Sequence, residues 1–230
     1  DEAAWTIDDF KMMFDRLEDK LADNAFIIWH GGEPLLMKPE FYEQAYEYAR
    51  SKKPGIRFSV QTNILLYKSS RWKKVFRDVF KGSVSTSFDP DEQSRTIKGN
   101  TEVYSKTFYR KLDEMIADGF HPLIIGTYTD ETIKYAHRMY DMALDAGENF
   151  FDIRYNYRYP AGRAANTAPA ITPENYGQML LTLWDRWVND APNFLVTPLD
   201  QMLRKVLGEN LAQCPWTRKC GGKFLSIEPN

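Results

Sequence analysis

Two glycines followed at once by a carboxylate, in the run His30-Gly31-Gly32-Glu33-Pro34, are the most chemically suggestive feature of this sequence. Glycine lacks the Cβ that would keep a ligand away from the main chain, so Gly31 and Gly32 permit close backbone approach, and Glu33 beside them can accept hydrogen bonds from an ammonium group. Two further polar clusters, Gln61-Thr62-Asn63 and Ser87-Phe88-Asp89-Pro90, each close a short strand-like run. One such cluster could be a plain turn; three in equivalent places point to a shared site.

The elements that must position them alternate. Strand-like runs at residues 25–29, 57–63, 83–89, 123–128 and 151–157 are separated by helical patterns at 39–50, 70–80, 101–118 and 130–146. Ahead of them, Thr6 with Asp9 makes a capping signal, and Phe10, Met13, Phe14, Leu17 and Leu21 mark one helical face. After them, Thr172-Pro173-Glu174 starts a helix whose stripe is Leu180, Leu183, Trp184, Trp187 and Val188, tryptophans that read as core. Such alternation implies a parallel sheet with right-handed crossovers, doubly wound or curled as a β/α barrel, with function at the C-terminal ends of the strands. The period of two puts Ser59, Gln61 and Asn63 on one face, likewise Ser83, Ser85, Ser87 and Asp89, and likewise Arg154, Asn156 and Arg158. A closed barrel fills its interior with branched apolar side chains, so these polar files predict a wet cavity.

Of 230 residues, 43% are apolar and 14% aromatic, enough for one large core. Thirty basic and 32 acidic residues, without long runs, leave a net charge of -2 and no footprint for nucleic acid or an anionic membrane. No apolar run has the length of a membrane span, and the two cysteines, Cys214 and Cys220, are too few for a secreted disulfide scaffold, which predicts a cytoplasmic protein. His30, His121 and His137 are too scattered to build a metal site, and no strand end carries a hydrolase triad or a Schiff-base lysine.

Taken together, Trp29-His30-Gly31-Gly32-Glu33-Pro34-Leu35-Leu36, Gln61-Thr62-Asn63 and Ser87-Phe88-Asp89, in that order and at successive strand ends, resemble radical S-adenosylmethionine (SAM) enzymes of the SPASM subfamily. The resemblance implies a partial (β/α)6 TIM-like barrel over residues 1–192, holding strands two to six, and a linker helix with the start of a SPASM extension over 193–230. It implies that Gly31, Gly32, Glu33 and Pro34 hold the SAM amino group, that Ser87, Asp89 and Arg95 lie at or near SAM, and that Gln61 and Asn63 face it or the substrate. Pro90 stands where the family usually has glycine.

The family's Cys-x3-Cys-x2-Cys, whose thiolates bind a [4Fe–4S] cluster, is absent from this sequence. The resemblance places it, with the first strand, ahead of Asp1. It also implies that Cys214 and Cys220 ligate an auxiliary [4Fe–4S] cluster together with ligands past Asn230. In that family, reductive cleavage of SAM yields a 5′-deoxyadenosyl radical, with ferredoxin or flavodoxin as electron donor, and the substrate is a peptide or protein. Crosslinking peptide maturation is the leading expectation and formylglycine formation in sulfatases the second; a non-catalytic peptide-binding barrel is the reading from another class. Without the cluster's ligands, residues 1–230 are expected to be inactive alone. Tyr155, Tyr157, Arg158 and Tyr159 are further candidates for peptide contact, although aromatic packing at a strand end is commoner.

Overall fold

The computed structural model describes residues 5–89, 91, 95–158, 170–211 and 225–227. Six strands, β1 (Phe26–Trp29), β2 (Arg57–Gln61), β3 (Val84–Ser87), β4 (Leu123–Tyr128), β5 (Asp152–Tyr157) and β6 (Val196–Thr197), form one sheet in sequential order. Every neighbouring pair is parallel. An order without reversal keeps successive right-handed crossovers on the same side, which selects barrel-type winding over double winding. The strand order and direction are those of the partial β/α barrel that the motifs imply.

The helices are α1 (Ile7–Leu17), α2 (Pro39–Lys52), α3 (Ser69–Asp78), α4 (Thr101–Ala117), α5 (Ala136–Asp145), α6 (Pro173–Asp190) and α7 (Leu199–Val206). The Thr6–Asp9 capping box forms as expected, and α1 buries Phe10 and Phe14 completely. Phe10 meets Trp29 of β1 and Phe58 of β2, with ring centroids 5.6 and 6.1 Å apart. Tilted and edge contacts of this kind add about 0.5–1.5 kcal/mol each beyond the area they bury, so α1 is fastened to the first two strands. Trp184 and Trp187 pack against the same core, as their helical stripe predicts.

Among the described residues the strands number six, not the five that periodicity reveals. The extra one, β6, has two residues, too few for a period-2 pattern to register, and it pairs with β5 inside the segment expected to be linker.

Register sorts the two faces. Val60, Thr86, Phe88, Ile124, Ile153 and Tyr155 lie under the helices, each at most 1% exposed. On the opposite, inner face, one rung runs Gln61, Ser85, Leu123, Asp152 and the next Ser87, Ile125, Arg154, Thr197. The inner face is therefore mixed, polar on β2, β3, β5 and β6 and aliphatic on β4.

Candidate functional site

β1 ends at Trp29, and the chain then turns through Gly31 (φ 87°) and Gly32 (φ 54°). Two consecutive left-handed residues would cost about 1–2 kcal/mol each with a Cβ, so glycine is needed for the backbone path itself. A Cβ built on either would meet nothing within 4 Å, which leaves the main chain open to approach.

Glu33 closes this turn. One carboxylate oxygen, Oε1, accepts from the Leu35 amide at 2.9 Å, capping the short 3-10 turn Pro34–Leu36, and from the Thr62 hydroxyl. The other, Oε2, accepts from the Asn63 amide at 2.9 Å. Two carboxylate oxygens offer about four acceptor sites, so one direction on Oε2 is left for a ligand. The Tyr42 hydroxyl, from α2, donates to the Pro34 carbonyl at 2.8 Å and fixes the turn from below. Burial, and then the Glu33 charge, push the Tyr42 phenol well above its ordinary pKa, so it stays a donor.

The loop after β2 is held just as firmly. The Asn63 side-chain oxygen accepts from the Leu65 amide at 2.9 Å, and the Thr62 hydroxyl accepts from the Ile64 amide at 3.1 Å. Between them, Ile64 is fully buried with φ 57°. A β-branched residue in the left-handed region is a true outlier and persists only where its surroundings over-determine it; Glu33 and Thr62 supply that constraint.

On the next two strands a second carboxylate does the bridging. Asp89 pairs with Arg95 at 2.7 Å and accepts from the Thr127 amide of β4 at 3.2 Å. Ser87 sits one turn of the pleat below Asp89 on the same face, and Gln61 is the direct register partner of Ser85. Glu33 and Asp89 thus tie together the rims of β1 with β2 and of β3 with β4.

Of the residues expected at the site, Gly31, Gly32, Glu33, Pro34 and Asn63 form one bonded unit, and Asp89 and Arg95 another. Gln61 and Ser87 project onto the inner face between these units. Cys214, Cys220, Pro90 and Tyr159 lie outside the described residues. Tyr155 is no surface contact: it is 1% exposed, stacks on Tyr128 at 5.4 Å and donates to the Ala136 carbonyl at 3.0 Å. Sequence reasoning did not foresee Thr62 and Thr127 as partners of the two carboxylates, since both bonds join segments about 30 or more residues apart and one uses a backbone amide. A separate cleft of about 260 Å³ opens where the strands begin, against Phe26, Arg57, Phe58 and Ser83, and holds none of the expected residues.

No family model matches the chain. It is 22% identical over 211 residues to a serine-type anaerobic sulfatase-maturating enzyme of Klebsiella aerogenes, covering 88% of this chain and 51% of that protein. It is 23% identical over 241 residues to the protein of that name from Bacteroides thetaiotaomicron, covering 91% and 57%. The chain is thus similar in sequence to anaerobic sulfatase-maturating enzymes. It spans about half the length of the curated relatives it matches. In fold it is similar to native anSMEcpe with bound AdoMet and Cp18Cys peptide, with TM-score 0.71 at 19% identity over 89% of this chain and 59% of that one. It is also similar to Streptococcus suis SuiB bound to precursor peptide SuiA, with TM-score 0.59 at 17% identity over 85% and 43%. The likeness in fold and the likeness in sequence therefore rest on separate observations.

Proposed function

We propose that this chain forms the SAM-binding barrel of a radical SAM enzyme that modifies a side chain of a peptide or protein substrate. The observation that carries the proposal is the Gly31–Glu33 turn, with its exposed left-handed backbone and a carboxylate bonded on three sides with one acceptor direction to spare. SAM fits this rim chemically. Its ammonium suits Glu33 and the backbone of Gly31 and Gly32, and its other polar groups suit Ser87, Gln61 and the side-chain NH2 of Asn63. SAM and a reducing cluster would supply the radical chemistry; these residues would bind and orient the cofactor and shape a cavity that shields the reacting bond from water. Among the described residues, no group of three or more His, Cys, Asp or Glu could hold a metal ion, so no step is assigned to a cluster on them.

The bond made is a finer question. Formylglycine formation is favoured by the curated relatives, three of which bear the sulfatase-maturating name, with 51%, 57% and 51% of their own length covered. Crosslinking peptide maturation is the second reading, supported by the likeness to SuiB. The deciding experiment is anaerobic reconstitution of the full-length protein with iron and sulfide, then a dithionite-driven assay for 5′-deoxyadenosine from SAM. Its formation, lost in Glu33→Gln, is expected. A bound cluster with intact SAM would overturn the proposal in favour of a binding-only barrel. With activity in hand, mass spectrometry of a sulfatase peptide separates the two readings: conversion to formylglycine supports the first, and no conversion rejects it.

A further inference from the structure

Arg154 has no counterpart in the bonded rim. It lies on the inner face of β5, between Ile125 of β4 and Thr197 of β6 and on one rung with Ser87. Its flanking residues Ile153 and Tyr155 are sealed under the helices at 0% and 1% exposure, which commits the Arg154 side chain to the interior. Its Nε is buried without a hydrogen-bond partner, and among the described residues no carboxylate pairs with the guanidinium. Asp152, two residues before it on the same face, is already engaged by the Leu195 amide at 2.9 Å, and Asp200 by the Thr197 hydroxyl at 2.7 Å.

A guanidinium held partly out of water with an unmet donor is costly unless an acceptor arrives, and the acceptor that satisfies Nε and a neighbouring Nη together is a carboxylate. Arginine, unlike lysine, cannot shed its charge to relieve the cost. We infer that Arg154 anchors a carboxylate of the peptide substrate, so that an acidic residue near the modified position is a specificity determinant. The inference rests on the proposed seat of SAM at the Gly31–Glu33 turn. SAM has a carboxylate too, but its amino and carboxylate groups share one carbon. Glu33 follows β1, and Arg154 lies four strands away, about 19 Å along a sheet with strands roughly 4.8 Å apart. The intervening strands separate Arg154 from an amino acid moiety seated at Glu33, which favours a second, substrate-borne carboxylate as its partner.

The test uses the full-length protein and two pools of random nonapeptides with blocked termini. One pool carries a single Asp or Glu, the other the matching Asn or Gln. Peptides retained with and without SAM are quantified by mass spectrometry, and SAM affinity is measured by calorimetry. Wild type is expected to retain the acidic pool about tenfold better, a preference lost in Arg154→Gln and partly kept in Arg154→Lys. If Arg154→Gln instead weakens SAM binding while the peptide preference persists, the carboxylate is SAM's and the inference falls. Equal retention of both pools by wild type overturns it as well. Failure of the SAM seat reads differently: wild type then binds no SAM, while any acidic preference survives in the SAM-free arm and the anchor stands by itself.

Discussion

The two sides of the sheet treat charge in opposite ways. On the side of β1 to β4, both carboxylates at the rim are engaged by the protein itself, Glu33 by three donors from two loops, with one acceptor direction left, and Asp89 by Arg95 and the Thr127 amide. On the side of β5 and β6, Arg154 faces the interior with an unmet donor and no ion pair among the described residues. A group held mainly by its own chain gains stability from its position and shapes a seat. A group left unsaturated gains nothing in the free protein and has to be explained by something that binds. The contrast separates a preorganised rim from a receptive wall, and each can be probed by removing its charge.

The largest effect is expected at Glu33. Glu33→Ala removes the cap of the 3-10 turn and leaves the Asn63 amide and the Thr62 hydroxyl, which brace the strained Ile64 turn, without their common acceptor. Loss of a carboxylate with several donors should cost about 2–4 kcal/mol, read as a lower urea midpoint with an unchanged denaturant slope. A cost below about 0.5 kcal/mol would mean that the rim is not preorganised by this residue. Asp89→Asn should cost less, about 1–2 kcal/mol, because the Arg95 pair is partly exposed, at 32% for the arginine, and an amide oxygen can still accept from Thr127.

Much of this contrast was legible in the residues alone, and the rest was not, for physical reasons. Strand and helix periodicity placed five strands and the polar rim, because half-buried elements repeat every 2 or 3.6 residues whatever their neighbours. The Gly31-Gly32-Glu33 run and the polar ends at Asn63 and Asp89 were visible as residue types. Their bonding was not, since Glu33 to Thr62 and Asp89 to Thr127 are long-range pairings set by the register between strands. β6 escaped because two residues carry no period. Arg154 appeared only as one member of a polar file with Asn156 and Arg158. That it alone among them sends a buried, unpartnered nitrogen into the interior depends on how tightly β4 and β6 flank it.

The paired side should also carry its own acid sensitivity. At the end of α4, Asp118 receives the Tyr67 hydroxyl at 2.7 Å and the Lys73 ammonium at 2.8 Å. Burial pushes this carboxyl up, but the hydrogen bonds from Lys73, Ser69 and Tyr67 outweigh it, and its pKa ends below the ordinary Asp value of 3.8. A carboxyl with a lower pKa folded than unfolded contributes stability that is complete above the unfolded value and fades as pH falls through it toward the folded one. Thermal unfolding scans from pH 6 down to about pH 3 should therefore show Asp118→Asn losing less stability than wild type across that span. Parallel losses in both proteins would place the acid sensitivity elsewhere.

The smallest effect is the most informative for the comparison. Arg154→Met keeps much of the side-chain volume and removes a charge that no described residue balances. Replacing a poorly compensated buried ion with an apolar side chain is often neutral or stabilising. The expected change in the ligand-free protein is within about 0.5 kcal/mol of wild type, or a gain. Glu33 and Arg154 are comparably half-buried charged residues of one inner site, so generic burial alone would predict similar penalties for both. A near-zero cost at Arg154 beside a large one at Glu33 would show that only the first rim residue is spent on holding the fold. A loss of about 2 kcal/mol or more at Arg154, approaching the range for a broken structural ion pair, would mean that the guanidinium is already satisfied within the chain, and the wall would then be as closed as the rim.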